Sequence, residues 1–249
     1  RPSTLARARE LSANLRILYF TEDDMMNARL RTRWTEDVFS YLDLWVTTKS
    51  YNQAPDELPA FGVKNILFVN NVAAPEIHRP IQVHELDAHA FGAPITFIGS
   101  FEAPRARSLI RLADSNIAVR IWGNGWKHMQ GKYPNLHIEG RAIYNLDYVK
   151  SISSSAINLC FLRHQNRDLQ TCRSVEIPSC GGFMVHERNS EITSLFREDK
   201  EAVYFSSDDE LVDCCHKWAE ASEKRIEIAK SGVRRVQELN LNHEAQAEQ

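Results

Sequence analysis

The chain has 249 residues, 43% of them hydrophobic and 25% charged, with a formal net charge of -3. That balance fits one large folded domain or two modest ones and excludes a disordered or fibrous chain. The mild acidity gives no reason to expect a nucleic-acid partner, whose binders carry a basic surplus, and no apolar run approaches the roughly 20 residues that span a bilayer.

Short runs rich in Ile, Val and Phe alternate with longer amphipathic stretches, the pattern of parallel α/β sheets. In chain order, strands are expected at RILYF (16–20), LWVTT (44–48), NILFVN (65–70), ITFIGS (95–100), VRIWG (119–123), LHIEG (136–140), INLCFL (157–162), GFMVH (182–186) and AVYFS (202–206). Helices are expected over 3–13, 28–42, 55–61, 103–115, 144–154, 169–180, 190–197 and 208–238, the last broken near Ser222.

The rhythm breaks once, in NVAAPEIHRPIQVHELDAHAFGA, where two prolines and three histidines follow neither period. The expected division is a first domain over 1–75, a linker over 76–92 and a second domain over 93–249. Three strands are few for an independent α/β domain, so the first is expected to be incomplete.

Five cysteines (Cys160, Cys172, Cys180, Cys214 and Cys215) include no C-x-x-C pair and read as reduced core thiols of a cytoplasmic protein. The N-terminus lacks a signal-peptide core and starts with Arg1, as a fragment or processed chain would.

Ligands of open α/β sheets sit outside the carboxyl ends of the strands, so the polar loops there are the candidate sites. After ITFIG come Gly99 and Ser100, then Arg105 in the first turn of the next helix, a grouping suited to an anion but equally to a tight turn with a solvated arginine. After VRIWG, the loop holding Gly123, Gly125 and Trp126 can wall a pocket with an aromatic ring, or the tryptophan can simply pack. After LHIEG, backbone groups from Arg141 to Ile143 can read the edge of a base.

The loop RHQNRD is the sharpest candidate, because Asp168 reads as an N-cap that leaves the amides of Leu169, Gln170 and Thr171 as donors, with Arg163 and Arg167 beside them. A diphosphate suits that helix end. Eight residues separate Asp168 from Glu176, which on one helix is a rise of roughly 12 Å and an offset of about 80°. Two such carboxylates can hold the two ends of a nucleotide-sugar; equally, Asp168 can be a cap and Glu176 a surface partner of Arg173. Asp23 and Asp24, after the first strand, can take a proton, bind a metal or form a solvated turn. No HExxH and no Cys/His grouping occurs, so a zinc site is not expected, and neither GxSxG nor G-x-x-x-x-G-K-[ST] is present.

RSVEIPSCGGFMVHE, then ITSLF, AVYFSSDDELVD and RIEIAKSGVRRV, closely resembles the C-terminal domain of CgeB-like spore maturation glycosyltransferases, members of the GT-B group with a glycosyl transferases group 1-like C-terminal domain. FIGSFEAPR, GNGW, EGRAIYNLDYVKSI and INLCFLRHQNRDLQT follow in that family's order, and the resemblance covers about 92–239. It implies two Rossmann-like domains with parallel sheets, the N-terminal one being the acceptor side. It implies a metal-independent, hexosyltransferase-like enzyme that takes a nucleoside diphosphate-sugar as donor, needs no further cofactor, and acts on a glycan, protein or small-molecule acceptor. Related enzymes carry two glutamates eight positions apart, the first on the donor sugar and the second on the ribose; Asp168 and Glu176 match those places, with an aspartate in the first. Donor contacts are also implied for Gly99, Ser100, Arg105 and the 123–126 loop.

Arg105, Arg163 and Arg173 are then expected to offset the leaving diphosphate, and Asp23 or Asp24 to act as base if the reaction inverts. The alternative is a non-catalytic nucleotide-sugar or glycan-binding module, or a subunit of a longer transferase.

Overall fold

The computed structural model describes residues 1–248. These form two compact units, residues 1–70 with 164–168, and residues 71–163 with those from 169 onward. All nine expected strands form, each shorter than expected, with Leu18–Thr21 and Met184–Glu187 running one residue past the expected end.

The first unit contains α1 (Pro2–Leu11), β1 (Leu18–Thr21), α2 (Thr35–Val38), β2 (Leu44–Thr47) and β3 (Ile66–Phe68). The strands make a parallel sheet in the order β1-β2-β3. Its apolar core is small: Met25, Phe39, Trp45, Leu58 and Val63. The helix expected over 28–42 breaks into single turns at Ala28–Leu30, Thr35–Val38 and Phe39–Tyr41. The Thr35 hydroxyl, 2.9 Å from the Thr32 amide, is the local cause, since a side chain that bonds nearby backbone competes with the helical ladder.

The second unit comprises α3 (Glu85–Phe91), β4 (Ile95–Ile98), α4 (Ala103–Asp114), β5 (Val119–Trp122), β6 (Leu136–Ile138), α5 (Asn145–Ser154), β7 (Ile157–Cys160), α6 (Cys172–Ser179), β8 (Met184–Glu187), α7 (Ser190–Leu195), β9 (Val203–Phe205), α8 (Asp208–Glu220), α9 (Ser222–Glu238) and α10 (His243–Ala247). The stretch expected as a linker thus contains α3, and it groups with this unit. The six strands are parallel, in the order β6-β5-β4-β7-β8-β9.

Side chains alternate across a strand, and here both faces are buried, as a parallel sheet flanked by helices requires. Phe97, Ile121, Leu159, Val185 and Phe205 enter one core with Leu109, Leu211 and Trp218. Their neighbours Ile98, Trp122, Cys160, Met184 and Tyr204 enter the other with Ile152, Val175 and Val236. Cys160, Cys180, Cys214 and Cys215 are free, and burial pushes their thiols up to about 11, 12, 11 and 12. Among the described residues no helix is long and apolar enough to cross a membrane.

Candidate functional site

In the second unit the chain starts at β4, winds outward to β6, then returns to β7 and winds the other way. The order therefore reverses between β4 and β7, and the crevice outside their carboxyl ends is the default ligand site of such a sheet.

The loops bordering that crevice are tied to one another. The Gly99 amide donates to the Trp122 carbonyl at 2.8 Å, Phe101 to Asn124 at 2.9 Å, and Gly123 to Arg141 at 2.9 Å. Gly123 has φ +150°, and a Cβ there would lie 2.0 Å from the Gly99 carbonyl oxygen, so only glycine fits this crossing. Trp126 is fully buried, edge-on to Phe97 and Phe101, and its Nε1 donates to Gly99 O at 2.8 Å. The expected aromatic pocket wall is thus a bolt inside the core, and Gly125 (φ +85°) turns the chain into it. The Arg141 carbonyl, expected to be open to a base, is taken by Gly123, and the Ile143 side chain lies in the core.

Arg105 is 6% exposed and spans the switch point: its Nε donates to Leu162 O at 3.1 Å and its Nη1 to Ser100 O at 3.2 Å. Glu102, which no motif marks in the sequence, lies 3.9 Å from Arg105 and accepts from Arg163 Nε at 3.0 Å. Two of the three arginines expected on a diphosphate thus converge on one carboxylate.

Helix α6 begins at Cys172, four residues after Asp168. Its N-cap is Thr171 in a reciprocal box with Ser174, whose Oγ accepts from the Thr171 amide at 2.9 Å. Asp168 is not the cap: the chain between it and the helix is extended at Thr171 (φ -133°), so the eight-residue spacing does not run along one helix. Of the amides expected as donors, Thr171 is engaged by Ser174; those of Cys172 and Arg173 open the helix instead. Leu169 uses its carbonyl to accept from Asn189 at 2.8 Å, and buried Gln170 accepts from the Asn71 amide at 2.8 Å while donating to Glu191 at 2.7 Å.

Ser174 is also pinned from below, its hydroxyl lying 2.8 Å from His186 Nε2, while His186 Nδ1 sits 2.6 Å from the Glu187 carbonyl. Nδ1 therefore carries the ring proton and Nε2 accepts from Ser174. Burial lowers this fully enclosed imidazole to about 4. At the other end of α6, Gly182 N–H bonds to Ile177 O at 3.0 Å and Gly181 N–H to Pro178 O at 2.9 Å. Gly181 sits at φ +75°, which completes a Schellman stop.

Glu176 projects from α6 with its side chain 18% exposed. Its partner is Tyr148 on α5, whose hydroxyl donates to Oε2 at 2.7 Å; His78 Nε2 stands 3.7 Å from Oε1. Burial, then Glu176 itself, pushes the Tyr148 hydroxyl well above its ordinary range, so it stays a donor. Burial works against the Arg173 charge, but Tyr148 and Glu176 outweigh it and raise that guanidinium; its Nε is enclosed without a hydrogen-bond partner. Arg173 thus balances Glu176 through the field, not through the expected surface pair.

In the first unit, Asp23 is exposed and Asp24 is fully buried. Arg167, at φ +48°, donates to both Asp24 oxygens at 2.6 and 3.0 Å and to both Glu57 oxygens at 2.7 and 2.9 Å. A carboxylate held this way is unsuited to take a proton from a substrate, so the base role expected of Asp24 fails on geometry. Asp168 accepts from Asn166 Nδ2 at 2.7 Å and is paired with Lys49 Nζ at 2.7 Å, both partners being buried. Lys49 went unnoticed in the sequence because nothing local distinguishes it from a surface lysine.

The family described as "Glycosyl transferase-like" matches residues 105–249. No curated protein matches the chain. Among solved structures, sucrose-phosphate synthase of Thermosynechococcus elongatus is 11% identical with a TM-score of 0.66, over 99% of this chain and 69% of that one. Anabaena Alr3699/HepE, solved in complex with UDP and glucose, is 11% identical with a TM-score of 0.70, over 100% and 76%. A variant of S. aureus TarM, solved with fondaparinux, alpha-GlcNAc-glycerol and UDP, is 13% identical with a TM-score of 0.69, over 99% and 52%. The α/β architecture with parallel sheets is that of GT-B glycosyltransferase structures.

Proposed function

The chain belongs to the glycosyl transferase-like family, and from that premise we propose that it moves a sugar from a nucleoside diphosphate-sugar to an acceptor hydroxyl. The observation that carries this reading is the strand reversal between β4 and β7, which brings the Gly99 loop, Arg105 and the start of α6 to one crevice in the second unit. UDP complexes of two proteins with the same fold support a nucleotide ligand.

In this reading the diphosphate lies against the first-turn amides of α6, and Arg163, Arg105 and Arg173 offset the charge that develops on it as the sugar departs. The protein's own charges then supply the stabilisation that a metal gives in other transferases. Glu176 accepts the ribose hydroxyls from the exposed part of its carboxylate. Of the two acids expected as base, Asp23 keeps the assignment because its side chain is exposed. RSVEIPSCGGFMVHE and its flanking strings support placing the chain with the CgeB-like members.

One observation favours a second reading, a module that binds a nucleotide-sugar without turning it over. Asp24 and Asp168, matched to chemistry and to the donor sugar, are both buried and held in ion pairs. Incubation with UDP-, GDP- and dTDP-sugars and a broad acceptor panel separates the two. Release of free nucleoside diphosphate is the expected result; saturable binding without release supports the module, and absence of binding by every nucleotide refutes both. Glu176→Ala is expected to weaken nucleotide binding by about 1–3 kcal/mol, read by calorimetry.

A further inference from the structure

We propose that His78 is a second ribose-binding residue, acting with Glu176 on one hydroxyl, so that the site distinguishes ribonucleotides from deoxyribonucleotides. The inference rests on the reading of Glu176 as the ribose acceptor. His78 lies before the segment that matches the family, in the stretch whose sequence follows neither helical nor strand period.

The orientation of the ring follows from its contacts. The Ala74 amide donates to His78 Nδ1 at 3.2 Å, and the His78 amide donates back to Ala74 O at 2.7 Å. A nitrogen that accepts carries no proton, so the neutral ring bears its proton on Nε2. Nε2 faces Glu176 Oε1 at 3.7 Å, beyond the 2.7–3.2 Å of an N–H···O bond. Tyr148 fixes both groups: its hydroxyl holds Oε2 at 2.7 Å, and its ring meets His78 edge-on with centroids 5.8 Å apart.

A donor and an acceptor are thus held close together without bonding to each other, the His78 side chain 15% and the Glu176 side chain 18% exposed. A hydroxyl is the group that answers both, because it donates to Oε1 while accepting from Nε2–H. Carbon-bound hydrogen in the same place answers neither and leaves two polar groups facing it, which is how a site rejects an analogue lacking a hydroxyl. Neither group needs to reorganise, since Ala74 holds one and Tyr148 the other.

The test measures affinities of UDP, ADP and GDP and of their 2′-deoxy and 3′-deoxy forms. Wild type should prefer the ribonucleotide over one deoxy form by roughly five- to tenfold. His78→Ala should bring that ratio near one and raise the donor KM with kcat at saturation little changed. His78→Gln, which keeps an N–H donor, should recover part of the ratio, and it also serves if the alanine variant does not fold. If Glu176→Gln flattens the ratio while both His78 variants keep it, the His78 inference fails and the ribose reading of Glu176 survives. If Glu176→Gln leaves affinity and ratio unchanged, the ribose reading fails and takes the inference with it. A wild-type protein that binds none of the nucleotides refutes the donor site itself.

Discussion

Both units are built on parallel strands, but they bury different matter. Alternate residues of β4, β5, β7, β8 and β9 feed two apolar clusters, one on each face of the six-stranded sheet. The three-stranded sheet has one core of five buried apolar residues, and beyond the carboxyl ends of β1 and β2 it encloses the Lys49–Asp168 ion pair and the Asp24 carboxylate, whose partner Arg167 stays 46% exposed. An apolar core loses stability in proportion to what is removed from it. A buried ion pair loses more when one partner goes, because the survivor keeps its charge without compensation. The first unit should therefore be brittle to single charge changes, and the second tolerant of modest ones.

The largest expected effect tests that brittleness. Lys49→Met leaves the Asp168 carboxylate buried and should cost about 3–5 kcal/mol in denaturant unfolding, whereas Lys49→Met with Asp168→Leu should recover most of the loss. Equal losses for the single and the double variant would break the comparison.

Next in size is the acid response of the second unit. His186 titrates at about 4 when folded, below the 6.5 of an exposed histidine. The unfolded chain thus binds the extra proton first. The contribution is full above pH 6.5 and is lost as pH falls towards 4, by about 3 kcal/mol in all. Unfolding series across that window should show the slope in wild type, and His186→Gln should flatten it.

Trp126→Phe should cost about 1–3 kcal/mol, since it leaves the Gly99 carbonyl without its indole donor, and the unfolding midpoint reads it. The smallest effect belongs to Arg7–Glu10, an ion pair whose side chains are 67% and 63% exposed. Glu10→Gln should leave the midpoint unchanged, because water already screens that pair.

These contrasts also explain what could be read from the amino acids. Strands such as INLCFL announce themselves, because burial on both faces demands continuous apolar runs. The start of α6 is hard to place from residue type, because Asp168 is a stronger cap than Thr171, although Thr171 and Ser174 stand at capping-box spacing. Helix α3 escaped because its flanking prolines and histidines mask a run with no apolar face; its Leu86 is 86% exposed. Glu176 was legible as a candidate, but its partners were not: Tyr148 is 28 residues away in the chain, and only folding brings that hydroxyl to the carboxylate. Lys49 and Asp168 pose the same problem over a longer separation, since charge pairing leaves no periodicity.

The free cysteines give this fold a set of built-in clocks. Only a thiolate reacts readily with an alkylating reagent, and Cys160, Cys180 and Cys215 are both enclosed and pushed towards the neutral thiol. Each therefore waits for its surroundings to open before it can be labelled. Cys215 belongs to one apolar layer of the sheet, and Cys160 and Cys180 to the other. Labelling rates resolved by residue would time the opening of the two layers separately, without any change to the sequence.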